Sequence, residues 1–164
     1  KLLGLTSKLF LKYASLEDAL LLFNWHKDYE IRSKSFSKNI VSFKQHINWF
    51  ENQLNSESSL IFILLDGFNT PLGYIRFEKS KIKVNEVYIS YGLDYLARGL
   101  GISRKLIELG LLKAKKHWES RLIFKGSIKN TNIPSIKNFE KLGFQRIKSN
   151  NKNKEYSDYY LKCQ

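Results

Sequence analysis

A mixed α/β layered domain is the fold class that this sequence predicts, and three observations predict it. Short apolar runs of strand length, such as "SLIFILLD" and "PLGYIRFEKS", alternate with longer segments whose apolar residues recur every three to four positions. The chain of 164 residues is 43% hydrophobic and 14% aromatic, enough for one domain with its own core. It has no internal repeats and no low-complexity linker, so residues 1–164 read as a single domain.

The elements follow in order. "LFLKYAS" is a first strand, and Ser15 at its end caps the helix "LEDALLLFNWHKD", where Leu16, Ala19, Leu20 and Phe23 recur at helical spacing. A polar segment, "YEIRSKSFSKNIV", leads to "SFKQHINWFENQL". That helix opens on a capping-box pair, Ser42 and Gln45, and lines up Phe43, Ile47, Phe50 and Leu54 on one face. "SLIFILLD" and "PLGYIRFEKS" are strands joined by the turn "GFNT", and "KVNEVYISYGL" is a third, long strand. The helix within "LDYLARGLGISRKLIELG" comes next, then the strand "RLIFKGSI", the short helix "PSIKNFEKLG", the strand "FQRIKS" and a last strand, "YYLKC". "NNKNKEYSD" is a polar turn between the last two. The predicted order is β-α-α-β-β-β-α-β-α-β-β, about seven strands and about four helices.

Charge narrows the partners without choosing one. The net charge of +13 comes from 28 basic and 15 acidic residues, which suits nucleic acid, a membrane surface or a phosphorylated small molecule. Of the 28 cations, 22 are Lys and 6 are Arg. A Lys-dominated excess equally fits a solvated surface, since Arg is the residue favoured for bidentate reading of bases and phosphates. No apolar run approaches the roughly 20 residues of a membrane span, and no signal peptide opens the chain. Cys163 is the single cysteine, so no internal disulfide forms and a cytoplasmic location is expected. The chain contains no Met, which suggests a trimmed product or part of a longer polypeptide. No metal site is read from the sequence.

The segment that carries chemistry is Arg98, Gly99, Leu100, Gly101, Ile102 and Ser103, at the mouth of a helix. A helix N-terminus leaves about four N–H groups without partners and carries about half a positive charge. Phosphate satisfies both, and glycines let the backbone approach its oxygens. The hexapeptide therefore reads either as a pyrophosphate cradle, with side-chain donors from Arg98 and Ser103, or as a turn whose glycines relieve strain. The spacing is that of neither a P-loop nor a dinucleotide-binding fingerprint. A second segment, "NIPSIKNFEKLGF", places Asn132 and a short helix directly after the next strand and closes on Gly143 as a C-cap.

Together the two segments resemble the GNAT acyltransferase superfamily. Its R/Q-x-x-G-x-G/A motif corresponds to Arg98 through Ser103, with Ser103 in place of the final Gly or Ala. Its later motif, N-x-x-A/S followed by an aromatic residue and G-F, is met by Asn132, Ser135, Phe139, Gly143 and Phe144. The resemblance implies a single GNAT-like domain built on a mixed, mostly antiparallel sheet, with acetyl-CoA as cofactor. Residues 98–103 would hold its pyrophosphate and Asn132 its pantetheine arm or thioester side, with Ser135 and Phe139 on the same short helix. Backbone groups from Tyr91 to Leu93 would meet the pantetheine amides, on a strand that splays from its neighbour. Tyr91, Leu93 and Tyr95 read equally as core or surface aromatic and apolar groups.

Acetyl transfer to an amine needs a proton acceptor for the amine and a donor for the leaving thiolate. In "NEVYISY", alternation puts Glu86, Tyr88 and Ser90 on one face. Glu86 is the only carboxylate of that strand and reads either as general base or as a solvated strand residue. Many relatives carry a tyrosine acid at the position of Phe139, which has no proton to give. Tyr88, Ser127 and Tyr91 are the alternatives, with thiolate departure unaided by the protein as another.

The pattern N-W-x-x-D-x-x-I-R-x-x-S-F, then H-x-x-W-F and P-x-G-x-I-R-F, resembles a GNAT subgroup acting on nucleotide-linked amino sugars, including those of pseudaminic and legionaminic acid-type pathways. The acceptor would then be a small-molecule amine, UDP- or otherwise nucleotide-linked, for surface glycan or flagellin glycosylation. On that resemblance Asn24, Trp25, Arg32, Ser33, His46, Trp49 and Arg76 form the acceptor cleft. Aromatic faces stack on sugar or uracil, and Arg or His pairs with diphosphate. Trp25 and Trp49 read equally as core, and His46 as a satisfied helix histidine. Two other functions stand beside this one. A GNAT enzyme acting on a protein amine, of the ribosomal-protein type, would want an acidic groove, which +13 disfavours. A nucleic-acid-binding module with a vestigial CoA cleft lacks the clustered Arg and Lys helix it would need. Both a monomer and a homodimer fit the sequence.

Overall fold

Seven consecutive apolar or small residues, Ser59–Leu65, are all buried, as befits a strand covered on both faces. Its side chains alternate between two cores. Leu60, Phe62 and Leu64 join one, and Ile61, Ile63 and Leu65 join the other. The computed structural model describes residues 8–35, 39, 41–119, 121–148 and 155–163. Around the central strand lie β1 (Phe10–Tyr13), β2 (Ser59–Leu65 itself), β3 (Pro71–Lys79), β4 (Glu86–Leu93), β5 (Ile123–Lys129), β6 (Gln145–Arg146) and β7 (Tyr156–Lys162). They form one sheet in the order β1-β2-β3-β4-β5-β7-β6. Among the described residues β4 and β5 are the one parallel pair, and every other neighbouring pair is antiparallel.

Among the described residues five helices flank the sheet: α1 (Ala19–Lys27), α2 (Tyr29–Lys34), α3 (Phe43–Leu54), α4 (Ile102–Trp118) and α5 (Ile133–Lys141). Ala19, Leu22, Trp25 and Phe50 from α1 and α3 bury against one face, with Tyr74 of β3. Leu106, Ile107, Leu111 and Ala114 of α4 and Phe139 of α5 bury against the other. The expected fold class is therefore observed: a mixed, mostly antiparallel seven-stranded α/β sheet. Among the described residues no helix is long and apolar enough to cross a membrane.

Local differences from the sequence reading have local causes. The segment "YEIRSK" is helix rather than irregular chain, because Asp28 accepts the Ile31 N–H at 3.1 Å and starts a new helix where α1 stops. The first helix begins with a 3-10 turn, Leu16–Asp18, in which the Asp18 carboxylate accepts the Ser15 N–H at 2.9 Å and pairs with Lys12. β4 starts at Glu86 because Asn85, at φ 75°, breaks the extended run. β6 is only two residues long, pairing with Tyr159 and Tyr160 at the sheet edge. The capping box of Ser42 and Gln45 on α3 forms as read. Of the polar turn expected at residues 150–158, residues 150–154 lie outside the described residues, as does the end of "FQRIKS" at Ser149, and Tyr156–Asp158 are instead the start of β7, paired with β5.

One topological feature positions the site. β4 and β5 pair only from Glu86 opposite Ile123 to Tyr88 opposite Lys125. Beyond that point β4 stays with β3 up to Leu93, and β5 stays with β7 up to Lys129. The sheet is split into a V, and the split joins its two faces.

Candidate active site

A cleft of about 820 Å³ occupies this split. On the α4–α5 face it is bounded by the start of α4 and by α5. Gly99 and Gly101 have φ of 75° and 72°, in the left-handed region where a side chain is strained. A Cβ on either would meet nothing within 4 Å, so it is backbone conformation that demands glycine there, with open space in front. The first turn of the 17-residue α4 carries no acidic residue and no side-chain cap. Its orphan N–H groups and dipole are thus available to an anion, which is the fit a CoA pyrophosphate requires. Gly99 and Ser103 line the cleft, while Leu100 and Ile102 pack toward the core.

α5 faces this turn. Asn132 Oδ1 accepts the Ser135 N–H at 3.5 Å, and Asn138 Nδ2 donates to Ser103 Oγ at 2.7 Å, tying α5 to α4. Ser135 Oγ and the Tyr91 hydroxyl are 2.7 Å apart. The Phe139 ring is buried, stacked on Tyr91 with centroids 6.4 Å apart. A Cβ at Gly126 would lie 2.5 Å from Phe139 Cε1, so Gly126 is what lets that ring close onto β5. Tyr91, Leu93, Asn132, Ser135 and Phe139 all line the cleft.

The α1–α3 face supplies the other half. Trp49, His46, Arg76 and Arg32 line it. The Arg76 guanidinium lies over the Trp49 ring at 5.2 Å. His46 is buried, its Nε2 3.0 Å from the Ala19 carbonyl oxygen. Burial, then the neighbouring His46 and Arg76, lowers the His26 pKa to about 4, so its imidazole is neutral at pH 7.

Four expectations are corrected. Trp25 is core: its Nε1–H donates to Asp94 Oδ2 at 2.8 Å and its ring stacks on Tyr74. Asn24 is exposed outside the cleft, two positions on from Leu22 and so on another side of α1. Ser33 is also outside, its hydroxyl donating to the Glu30 carbonyl oxygen at 2.8 Å. Glu86 lies at the closed end of the V and does not line the cleft. Its carboxylate is 2.7 Å from Lys125 Nζ and 3.8 Å from Lys83 Nζ. The Lys125 hydrogen bond, working against burial, holds Glu86 below the usual carboxylate range, the wrong direction for a proton acceptor. Tyr88 does line the cleft, exposed, with its hydroxyl 3.4 Å from Glu86.

The side chain of Arg98 is occupied differently from expectation. Its Nη2 donates to Asp28 Oδ1 at 2.7 Å, Nη1 to Glu30 Oε2 at 2.9 Å, and Nε to the Leu93 carbonyl oxygen at 3.2 Å. Arg98 therefore straps α2 to the end of β4, and the cradle beside it is made of backbone. Burial works against ionised Asp28, but bonds from the Ile31 N–H and Arg98 hold it below the usual range. The sequence reading missed His26 and Asn138. Helical phase signals both: His26 lies four residues after Leu22, and Asn138 three after Ser135, each on a cleft-facing side.

A split α/β sheet with an uncapped, glycine-fronted helix beside the opening offers an anion site next to a deep cleft. Residues 21–144 match the family model described as Acetyltransferase (GNAT) family, more than half of the chain. The chain belongs to the GNAT family and is an acetyl-CoA-dependent N-acetyltransferase. No curated protein sequence matches it. Among solved structures it is similar to the spermidine N-acetyltransferase from Vibrio cholerae in complex with CoA and spermine, at TM-score 0.85 and 15% identity over 96% of each chain. A domain from Methanocaldococcus jannaschii is similar at TM-score 0.76 and 24% identity, over 95% of this chain and 99% of that one. A dodecameric form of the Vibrio cholerae enzyme is similar at TM-score 0.78 and 14% identity, over 96% of this chain and 95% of that one.

Proposed function

We propose that the acceptor is the primary amine of an anionic, nucleotide-linked amino sugar. The observation that carries this reading is the charge of the cleft. Among the described residues Lys27, Arg32, Lys34, Arg76, Arg98, Lys125 and Lys129 line it, with Arg98 and Lys125 paired to Asp28 and Glu86 outside it, against the single lining carboxylate of Glu30. That carboxylate is already paired with Lys34 and Arg98. A polyamine carries several positive charges and would enter this cleft against repulsion, whereas a diphosphate is drawn in. Arg76, with one face on Trp49 and its Nη2 4.0 Å from the Glu78 carboxylate, has the rest of its edge to offer a phosphate, and the indole supplies a face for a ring. Residues 98–103, Asn132 and Ser135 hold acetyl-CoA, which supplies the acetyl group.

The test is thiol release from acetyl-CoA with UDP-linked amino sugars, with the same sugars lacking the nucleotide, and with spermidine. The expected order of kcat/KM is nucleotide sugar, then free sugar, then spermidine. Preference for spermidine would overturn the reading.

A further inference from the structure

Phe139 leaves the departing thiolate without the proton donor its helix position would suit, and hydroxyls near the split differ in where they point. Tyr88 lies on the α1–α3 face with its hydroxyl toward Glu86. The Ser127 hydroxyl donates to Asp158. Tyr91 alternates to the α4–α5 face, packed with the core that contains Phe139. Its strand has already parted from β5, since that pairing ends at Tyr88. Its ring stacks on Phe139, and its hydroxyl reaches Ser135 Oγ, one helical turn before position 139 on the same face of α5.

We propose that Tyr91 is the general acid, delivering across the split, from β4, the proton that position 139 cannot. This rests on the acetyl-transfer reading of the cleft, though not on the identity of the acceptor. The amine nitrogen bonds to the acetyl carbonyl carbon, and the carbon–sulfur bond breaks with its electron pair going to sulfur. The Tyr91 O–H proton moves to that sulfur and gives the free thiol. The nitrogen loses its extra proton to water. The phenolate regains a proton from water through Ser135 Oγ. Burial raises the phenol above its ordinary pKa, against hydrogen bonds from Ser135 and Asn138, so it carries its proton at neutral pH.

Two measurements on Tyr91→Phe test this. Calorimetry compares CoA with desulfo-CoA above about pH 8.5, where a thiol ionises. The unmodified protein should prefer CoA, and Tyr91→Phe should lose that preference while still binding desulfo-CoA. A merely structural role would weaken both ligands together, and equal weakening overturns the proposal. In turnover, kcat should fall about 100-fold or more with KM for acetyl-CoA little changed. A kcat within about twofold of the original overturns it. Should Tyr91→Phe not fold, 3,5-difluorotyrosine placed at position 91 keeps the ring and acidifies the phenol. The alkaline limb of the kcat profile should then move to lower pH, and an unmoved limb overturns the proposal. The calorimetry needs no acceptor, so inactivity toward nucleotide sugars would defeat the acceptor reading and leave Tyr91 tested.

Discussion

The two halves of the cleft are built by different means. On the α4–α5 face the binding surface is backbone: the uncapped first turn of α4, Gly99 and Gly101 at positive φ, and the free edge of β4 beyond Tyr88. Its nearby side chains are small or neutral, such as Ser103, Ser135 and Asn138. On the α1–α3 face the surface is side chain: Trp49, Arg76, His26 and His46, with Lys27 and Arg32 around them. A backbone site accepts one geometry and resists change, because its donors cannot be substituted away. A side-chain site can be re-aimed residue by residue. On the proposed reading, the half assigned to the constant acetyl donor is built from constraint, and the half assigned to the acceptor from replaceable groups. The strap of Arg98 to Asp28 and Glu30 holds the two together at 2.7 and 2.9 Å.

The sharpest way to break this contrast is at Gly101. Gly101→Val forces a β-branched residue into the left-handed region at the N-cap of α4, and relieving that strain must distort the turn that presents the α4 N–H groups. Acetyl-CoA affinity should fall more than about 100-fold, read as loss of the acetyl-CoA-induced rise in Tm. A retained shift would mean that the donor half does not depend on its backbone.

At Arg76 the opposite is expected. Arg76→Ala should raise KM for a UDP-linked amino sugar by about 10- to 100-fold, the cost of a charge-assisted pair of about 1.5–3 kcal/mol. Acetyl-CoA binding should be unchanged, and so should KM for the amino sugar without its nucleotide. Equal losses for both sugars would remove the assigned phosphate contact and blur the division of labour.

The wall between the halves is next. Gly126→Ala places a Cβ 2.5 Å from Phe139 Cε1, overpacking that should cost about 1–3 kcal/mol in urea denaturation. Phe139→Leu alone should destabilise by leaving a void, yet the pair should cost less than the sum of the two single changes. Strict additivity would show that β5 and α5 do not meet as described.

The same contrast explains what the sequence made legible. Backbone sites leave their mark locally: Gly99, Gly101, Asn132 and the Ser42–Gln45 box each demand a residue type at a fixed offset, and all stand where the reading placed them. Side-chain sites are decided by distant chain. Glu86 and Ser90 share one face of β4, and only the end of β5 pairing at Tyr88 puts Glu86 in the closed end and Ser90 in the cleft. Trp25 satisfies an indole with Asp94, 69 positions away, a partnership no local pattern displays. The motif around Arg98 marked the turn correctly, but its guanidinium turns to α2, whose Asp28 cap was itself unread.

The smallest effect is expected at His26, and it tests whether the acceptor half is tuned by its own charges. Its folded pKa of about 4 lies below the ordinary 6.5, through burial first and then His46 and Arg76. Between those two values the unfolded chain binds a proton that the folded one refuses, so unfolding is favoured as pH falls. Stability should be greatest above pH 6.5 and decline until about pH 4, by about 1 kcal/mol once partial solvent access is allowed for. His46, also lowered by burial, adds a slope of the same sign. His26→Gln should flatten only the His26 part, and an unchanged slope would show that this imidazole does not feel its neighbours. A bound nucleotide diphosphate pairs with Arg76 and removes one lowering influence, so the His26 pKa should rise. By linkage, UDP should then bind a few-fold tighter as pH falls from 6.5 toward 4.5, and Arg76→Ala should abolish that gain.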